Sequence, residues 1–268
     1  MYLEYWGLQE KPFQNTSDPR YLCLSEQHEE AMSRLHYVVS QFDACAMLTG
    51  VFGSGKTLLA QALIDELRKE QFTTAYIFNP QFSNVELLRE IIYQLGVHAH
   101  VPENKPDILH RLTDILNDNY AENRHTVIII DEAHLIEDRL IFEELRLLLN
   151  FQKRDKFLLT LILVGQPELR EKINHLKQFD QRISVRFHLK GLRAEETEVY
   201  VKHRLNVAGA TREIFEEDTY RMIHESTGGI PRRINQICDL ALFAGFGMKQ
   251  ASISMETIKV VVMDPQAV

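Results

Sequence analysis

Gly50-Val51-Phe52-Gly53-Ser54-Gly55-Lys56-Thr57 follows the apolar stretch Ala44-Cys45-Ala46-Met47-Leu48 and leads through Leu58 into a helical pattern. The spacing is GxxxxGK[ST], and each position has a physical task. Gly50, Gly53 and Gly55 let the backbone adopt positive φ and come close to a ligand with no Cβ in the way. Successive N–H groups then form an anion nest at a helix N-terminus. Lys56 adds a mobile charge for β and γ phosphates, and the Thr57 hydroxyl suits Mg²⁺. Strand, glycine loop and helix in this order predict a nucleoside triphosphate site from Gly50 through Leu58, with Mg²⁺ beside it.

A second stretch supports the first. His125-Thr-Val-Ile-Ile-Ile-Asp131-Glu132-Ala-His134 is a β-branched apolar run with two carboxylates at its C-terminal end. Such a run suits a buried parallel strand, and open α/β sheets bind ligands outside those strand ends. Asp131 is placed to hold Mg²⁺ through water, and Glu132 to polarise the water that attacks the γ phosphate. His134 reads as a structural or relay side chain.

Around these motifs, strand and helix patterns alternate. A helix starts after Ser25, with Ala31, Leu35, Val38 and Val39 on one face. After the glycine loop come a helix over 58–70, a strand over 73–78, helices over 84–95 and 106–120, and the acidic strand ending at Ile130. A helix over 140–152, a strand over 157–164, a short helix over 167–174 and a fifth strand over 185–189 follow. This alternation predicts a parallel, doubly wound sheet with right-handed crossovers. From Leu192 the pattern is helical only, over 194–207, 215–225, 230–246 and 255–262. The expected domains are an N-terminal segment and helix over 1–40, a nucleotide-binding domain over 41–190 and a small helical lid domain over 191–268.

Composition bounds the function. The 268 residues are 45% hydrophobic and 25% charged, enough for a globular chain with an ample core. Runs such as Leu161-Ile162-Leu163-Val164 fall far short of a membrane span of about 20 residues. With Glu4 near the start in place of basic residues, the chain reads as cytoplasmic unless a partner holds it at a membrane. Cys23, Cys45 and Cys238 have no metal spacing and fit a reducing compartment. A formal charge of -8 argues against a large nucleic-acid footprint. A local basic strip could still draw on Arg182, Arg186, Lys190 and Arg193, then Arg232 and Arg233.

With the glycine loop, the Asp-Glu pair and Gly228-Gly229-Ile230-Pro231-Arg232-Arg233 in its helical region, the chain resembles the AAA+ ATPases, P-loop NTPases with a five-stranded parallel sheet and a helical lid. Met1-Tyr2-Leu3-Glu4-Tyr5-Trp6-Gly7-Leu8, Pro12-Phe13 and Asp18-Pro19 resemble the opening of their ExeA/GspA-like secretion and pilus-biogenesis group. That group includes MshM of mannose-sensitive haemagglutinin pilus assembly and is related to the TniB/TnsC transposition ATPases. ExeA-like proteins extend into a membrane span and a cell-wall-binding region not seen here, so the shorter MshM-like form is expected.

The resemblance implies ATP as the nucleotide, with Mg²⁺, and further roles. Gln166 stands at the sensor 1 position that contacts the γ phosphate or the lytic water; a helix-capping amide is the alternative. Asn79 would hold Glu132 inactive, or merely form a turn. Arg182 stands where a finger reaches a neighbouring subunit's nucleotide, with Arg186 as runner-up, and Arg232 is at the sensor 2 position with Arg233 next to it. The implied partners are further copies of the chain and pilus or secretion assembly proteins at the inner membrane, with DNA a poor ligand. The alternatives are a transposition regulator polymerising on DNA and a nucleotide-gated scaffold with little turnover. Tyr5, Trp6, Phe13 and Tyr21 are expected either to pack under the nucleotide domain or to form a docking surface.

Overall fold

The computed structural model describes residues 2–263 apart from 17, 70, 71, 100 and 155. The chain forms two compact parts, residues 28–52 with 59–189, and residues 1–27 with 53–58 and 190–268. Residues 1–27 thus group with the C-terminal helices instead of forming a segment of their own up to residue 40.

The first part is built on β1 (Cys45–Gly50), β2 (Phe72–Ile77), β3 (His125–Ile130), β4 (Leu159–Gly165) and β5 (Ile183–Leu189). They form one sheet in the order β2-β3-β4-β1-β5, with every neighbouring pair parallel. The central strands β1, β3 and β4 are buried at every residue. This is why they read as unbroken apolar runs: helices cover both faces of a parallel sheet. On one face Met47, Ile128, Ile130, Leu161 and Leu163 share a core with the helices that follow β2 and β3. On the other, Leu48, Val127, Ile129, Ile162 and Val164 join residues 31–39 and 59–67. Successive side chains alternate between the two cores, as the two-residue strand period requires.

Edge strand β5 begins at Ile183, two residues before the expected start, and its burial alternates along its length. The helices of this part are α2 (Glu26–Ser40), α3 (Lys56–Leu67), α4 (Asn84–Gln94), α5 (Lys105–Ala121), α6 (Arg139–Leu148), α7 (Pro167–Asn174) and α8 (Lys177–Asp180). Two of them extend past the boundary between the parts. The expected extension of α3 to Glu70 reaches a position outside the described residues. Helix α6 stops at Leu148 instead of Gln152, because residues 152–153 and 156–157 form a short antiparallel hairpin.

The second part contains α1 (Tyr2–Trp6), α9 (Ala194–Val207), α10 (Glu217–Thr227), α11 (Pro231–Gly247) and α12 (Met255–Met263). The expected helix at 215 starts two residues later, since Phe215 is engaged in a parallel bridge with Ile253. The Gly228-Gly229 corner is steric in origin: Gly229 has φ +70, and a Cβ there would lie 2.0 Å from the Leu192 carbonyl oxygen.

Three of the four N-terminal aromatics pack here and not under the sheet, while Tyr5 is 36% exposed with its hydroxyl donating to the Gln250 carbonyl at 2.7 Å. Trp6, Phe13 and Tyr21 are buried, and Trp6 and Phe13 join the core of α9–α12. The cause is polar as well as apolar. Trp6 Nε1 donates to the Leu242 carbonyl at 2.9 Å. The buried Arg204 guanidinium donates to the carbonyls of Pro12 at 2.6 Å and Gln14 at 2.8 Å, and to Tyr200 Oη at 2.9 Å. Among the described residues, no helix is long and apolar enough to cross a membrane.

Candidate functional site

Two of the three loop glycines take the expected positive φ, while Gly50 is the last residue of β1 and does not. Gly53 and Gly55 adopt φ +81 and +93, left-handed values at which a larger residue would be strained. Helix α3 starts at Lys56, whose side chain is buried, and Thr57 is half-buried on its first turn. A glycine turn feeding a helix N-terminus is an anion cradle, so these residues fit a phosphate group. The start of α11 closes on the same loop. The Arg232 N–H donates to the Gly53 carbonyl at 3.3 Å, and a Cβ on Gly53 would come within 2.5 Å of Arg232 Cβ. Gly53 and Arg232, called on separately by the sequence, are thereby brought together. Arg233 is exposed beside it.

The C-terminal ends of β1 and β3 lie at the same end of the sheet, with β4 between them. Asp131, just past β3, is 2% exposed. Its Oδ2 accepts the Tyr76 hydroxyl at 2.9 Å and its Oδ1 accepts the Glu132 N–H at 2.8 Å. Burial and the adjacent Asp131 carboxylate push the Tyr76 phenol well above its ordinary pKa, so it stays protonated and donating. Glu132 occupies the left-handed region at φ 51, which turns its side chain out of the strand direction. Its Oε2 is buried without a hydrogen bond, 3.2 Å from His134 Nδ1.

Gln166 follows β4 and stands at the N-cap of α7, but its side chain makes no capping bond. The amide instead lies 3.0 Å from His134 Nε2, so His134 connects Gln166 to Glu132. Asn79 is not brought to Glu132: it is exposed, and its Oδ1 accepts the Gln81 N–H at 3.4 Å, the turn alternative. The two candidate finger arginines have different attachments. Arg182 donates to Asn150 Oδ1 at 3.0 Å, whereas Arg186 is held by the Asp180 carboxylate at 2.7 Å and the Asp180 carbonyl at 2.6 Å.

Sequence reasoning missed Tyr76 and Lys172. Tyr76 pairs in register with Ile129, one strand over from the acid pair, and a strand-end tyrosine carries no motif. Lys172 Nζ donates to the carbonyls of His134 and Ile136 from α7, a tie that only the folded helix reveals.

Five parallel strands in this order, with a glycine loop after β1 and an acid pair after β3, define an AAA+ P-loop NTPase fold with a C-terminal helical domain. The family described as AAA domain matches residues 41–173. The chain is 38% identical over 253 residues to General secretion pathway protein A of Aeromonas hydrophila, covering 92% of this chain and 45% of that protein. It therefore spans less than half the length of that relative. Among solved structures, the ORC2 protein of Aeropyrum pernix superposes with a TM-score of 0.73 at 20% identity, covering 97% of this chain and 72% of that one. Cdc6p of Pyrobaculum aerophilum gives 0.72 at 17% identity, covering 90% and 67%. At these identities the structural likeness is one of fold.

Proposed function

We propose that this chain is a Mg²⁺-dependent ATPase whose nucleotide cycle switches a homo-oligomer, and through it a secretion or pilus assembly at the cytoplasmic side of the inner membrane. The observation that carries the reading is the left-handed glycine loop opening α3 at the sheet end from which Asp131 and Glu132 also emerge. In this reading Gly50 to Leu58 bind ATP, with Lys56 on the β and γ phosphates. Thr57 and Asp131 would hold the metal, which supplies charge neutralisation on the phosphates. Glu132 is the base, Gln166 senses the γ phosphate, and Arg232 reports its presence to the helical domain. Arg182 acts on a neighbouring copy, because its neutral partner Asn150 is more readily exchanged for a phosphate than the carboxylate holding Arg186. Similarity to a general secretion pathway protein supports the assembly role. The net charge of -8 supports weak DNA binding.

Titration with a fluorescent ATP analogue and a phosphate-release assay test this together. Lys56→Ala should lose binding, whereas Glu132→Gln should bind and lose about 10²- to 10⁴-fold in turnover. Arg182→Ala mixed with Glu132→Gln should regain activity at mixed interfaces. Wild-type affinity in Lys56→Ala would overturn the nucleotide site. Submicromolar, ATP-dependent duplex binding with filament formation would replace the assembly role with a transposition-type one.

A further inference from the structure

The roles above give Tyr76 no task, although it meets the acid pair directly. Tyr76 lies on β2 in register with Ile129 of β3, and Asp131 is two residues further along. Backbone pairing runs on past the strand end, where the Asp131 N–H donates to the Ile77 carbonyl at 2.8 Å. The two-residue period therefore puts Tyr76, Ile129 and Asp131 on one face of the sheet, with Tyr76 diagonal to Asp131. Such diagonal neighbours are about 7–8 Å apart, a gap that aromatic and other long side chains can close. The Tyr76 ring packs against the core shared by α2 and α3, and its hydroxyl reaches Asp131 Oδ2 at 2.9 Å. An apolar body thus carries a polar tip to the carboxylate.

The other carboxylate oxygen is engaged as well. Asp131 Oδ1 accepts the Glu132 N–H at 2.8 Å. That donor belongs to the next residue of the same chain segment, whereas the phenol is anchored in a different strand. Tyr76 is therefore what ties the carboxylate to β2, and with one donor on each oxygen its plane is set.

That orientation bears on which cation the carboxylate accepts. An ionised oxygen donor at a position 2% exposed fits a hard divalent cation. Mg²⁺ demands near-ideal octahedral geometry and keeps several of its waters, so it rewards a carboxylate held one way. Ca²⁺ tolerates irregular arrangements and takes a carboxylate through one oxygen or both. A phenol on Oδ2 opposes the two-oxygen mode.

We propose that Tyr76 is a positioning residue that sets the cation preference of Asp131, favouring Mg²⁺ over Ca²⁺. The proposal rests on the ATPase reading, in which Asp131 holds the metal. The hydroxyl acts only through the carboxylate.

Equilibrium binding of a fluorescent ATP analogue to the full chain, measured in EDTA, in Mg²⁺ and in Ca²⁺, tests it without turnover. In the wild type Mg²⁺ should tighten binding more than Ca²⁺ does. Tyr76→Phe removes the hydroxyl and keeps the ring, so affinity in Mg²⁺ should fall about tenfold while affinity in Ca²⁺ and in EDTA stays within about threefold. A ring that merely packs would change all three alike. In an Asp131→Asn background the same substitution should alter affinity in Mg²⁺ by less than about twofold, because the carboxylate it acts through is gone. Equal losses in all three solutions, an unchanged ratio of Mg²⁺ to Ca²⁺ affinity, or the full loss in the Asp131→Asn background would each overturn the proposal. So would a wild type tightened equally by the two cations. Wild-type binding indifferent to both cations would instead sink the metal-dependent ATPase reading, and the cation preference with it.

Discussion

The central strands of the sheet part keep their polar side chains at the strand ends, whereas the helical part places polar side chains in its middle. In the sheet, Thr49 and Asp131 lie toward one end, and His125, Thr126 and Thr160 toward the other, with aliphatics between them. In the helical part, buried Arg204, Tyr200 and Asn235 form a chain that continues to Asn15, with Asn235 Nδ2 donating to Asn15 Oδ1 at 2.8 Å. A sheet aligns itself through its backbone ladder. Residues 8–16 join no strand ladder, and a side chain satisfies the carbonyls of Pro12 and Gln14. The difference teaches where each part is vulnerable: the sheet to lost volume, the helical part to a lost donor.

The largest effect should come from Leu163→Ala, a fully buried site in the sheet core. The cavity should cost about 4 kcal/mol in urea unfolding of the sheet part. Arg204→Met keeps bulk but leaves two carbonyls and the Tyr200 hydroxyl without their donor, a loss of about 3 kcal/mol. Limited proteolysis should cut it first between residues 8 and 25. If cleavage begins in the sheet part, the guanidinium is not what secures the N-terminal segment.

Acid should act on the sheet part through His125. Burial, then Lys156, holds its pKa down at about 4, and its Nε2 meets Thr160 Oγ1 at 2.8 Å. Thr160 gives its own proton to the Asp43 carbonyl at 2.7 Å, so Nε2 is the donor and the ring is neutral. Between the ordinary histidine pKa of about 6.5 and the folded value, the unfolded chain binds a proton that the folded chain does not. Stability is therefore intact above that window and falls by about 3 kcal/mol as pH drops through it. His125→Gln should flatten this part of the stability–pH curve; an unchanged slope would assign the acid sensitivity elsewhere. The smallest effect is expected for Trp6→Phe, which removes the bond to the Leu242 carbonyl and should cost about 1 kcal/mol by thermal unfolding.

The glycine loop, the acid pair and the sheet were legible because each is continuous in sequence and has one dominant period. The hairpin within 152–157 was not, since two-residue strands have no periodicity to detect. Ile183 was missed as the start of β5 because Ser184 and Arg186, on the exposed alternate positions, break the apolar run. The site was legible as residues but not as pairs. Gln166 was identified by its place after a strand, while its contact with His134 spans 32 positions. Asn79 had two readings, a hold on Glu132 or a turn, and a local Asx turn takes its side chain. The packing of residues 1–27 on α9–α12 was invisible for the same reason: Arg204 and Pro12 are 192 positions apart.

That distance has a temporal side. Trp6 leaves the ribosome 236 residues ahead of the carbonyl that accepts its indole N–H. At ordinary synthesis rates the wait is on the order of tens of seconds, during which the strands of the sheet can pair one after another. Throughout that interval Trp6 and Phe13 have no native core to enter, so the nascent chain presents an aromatic segment to chaperones until α11 has emerged.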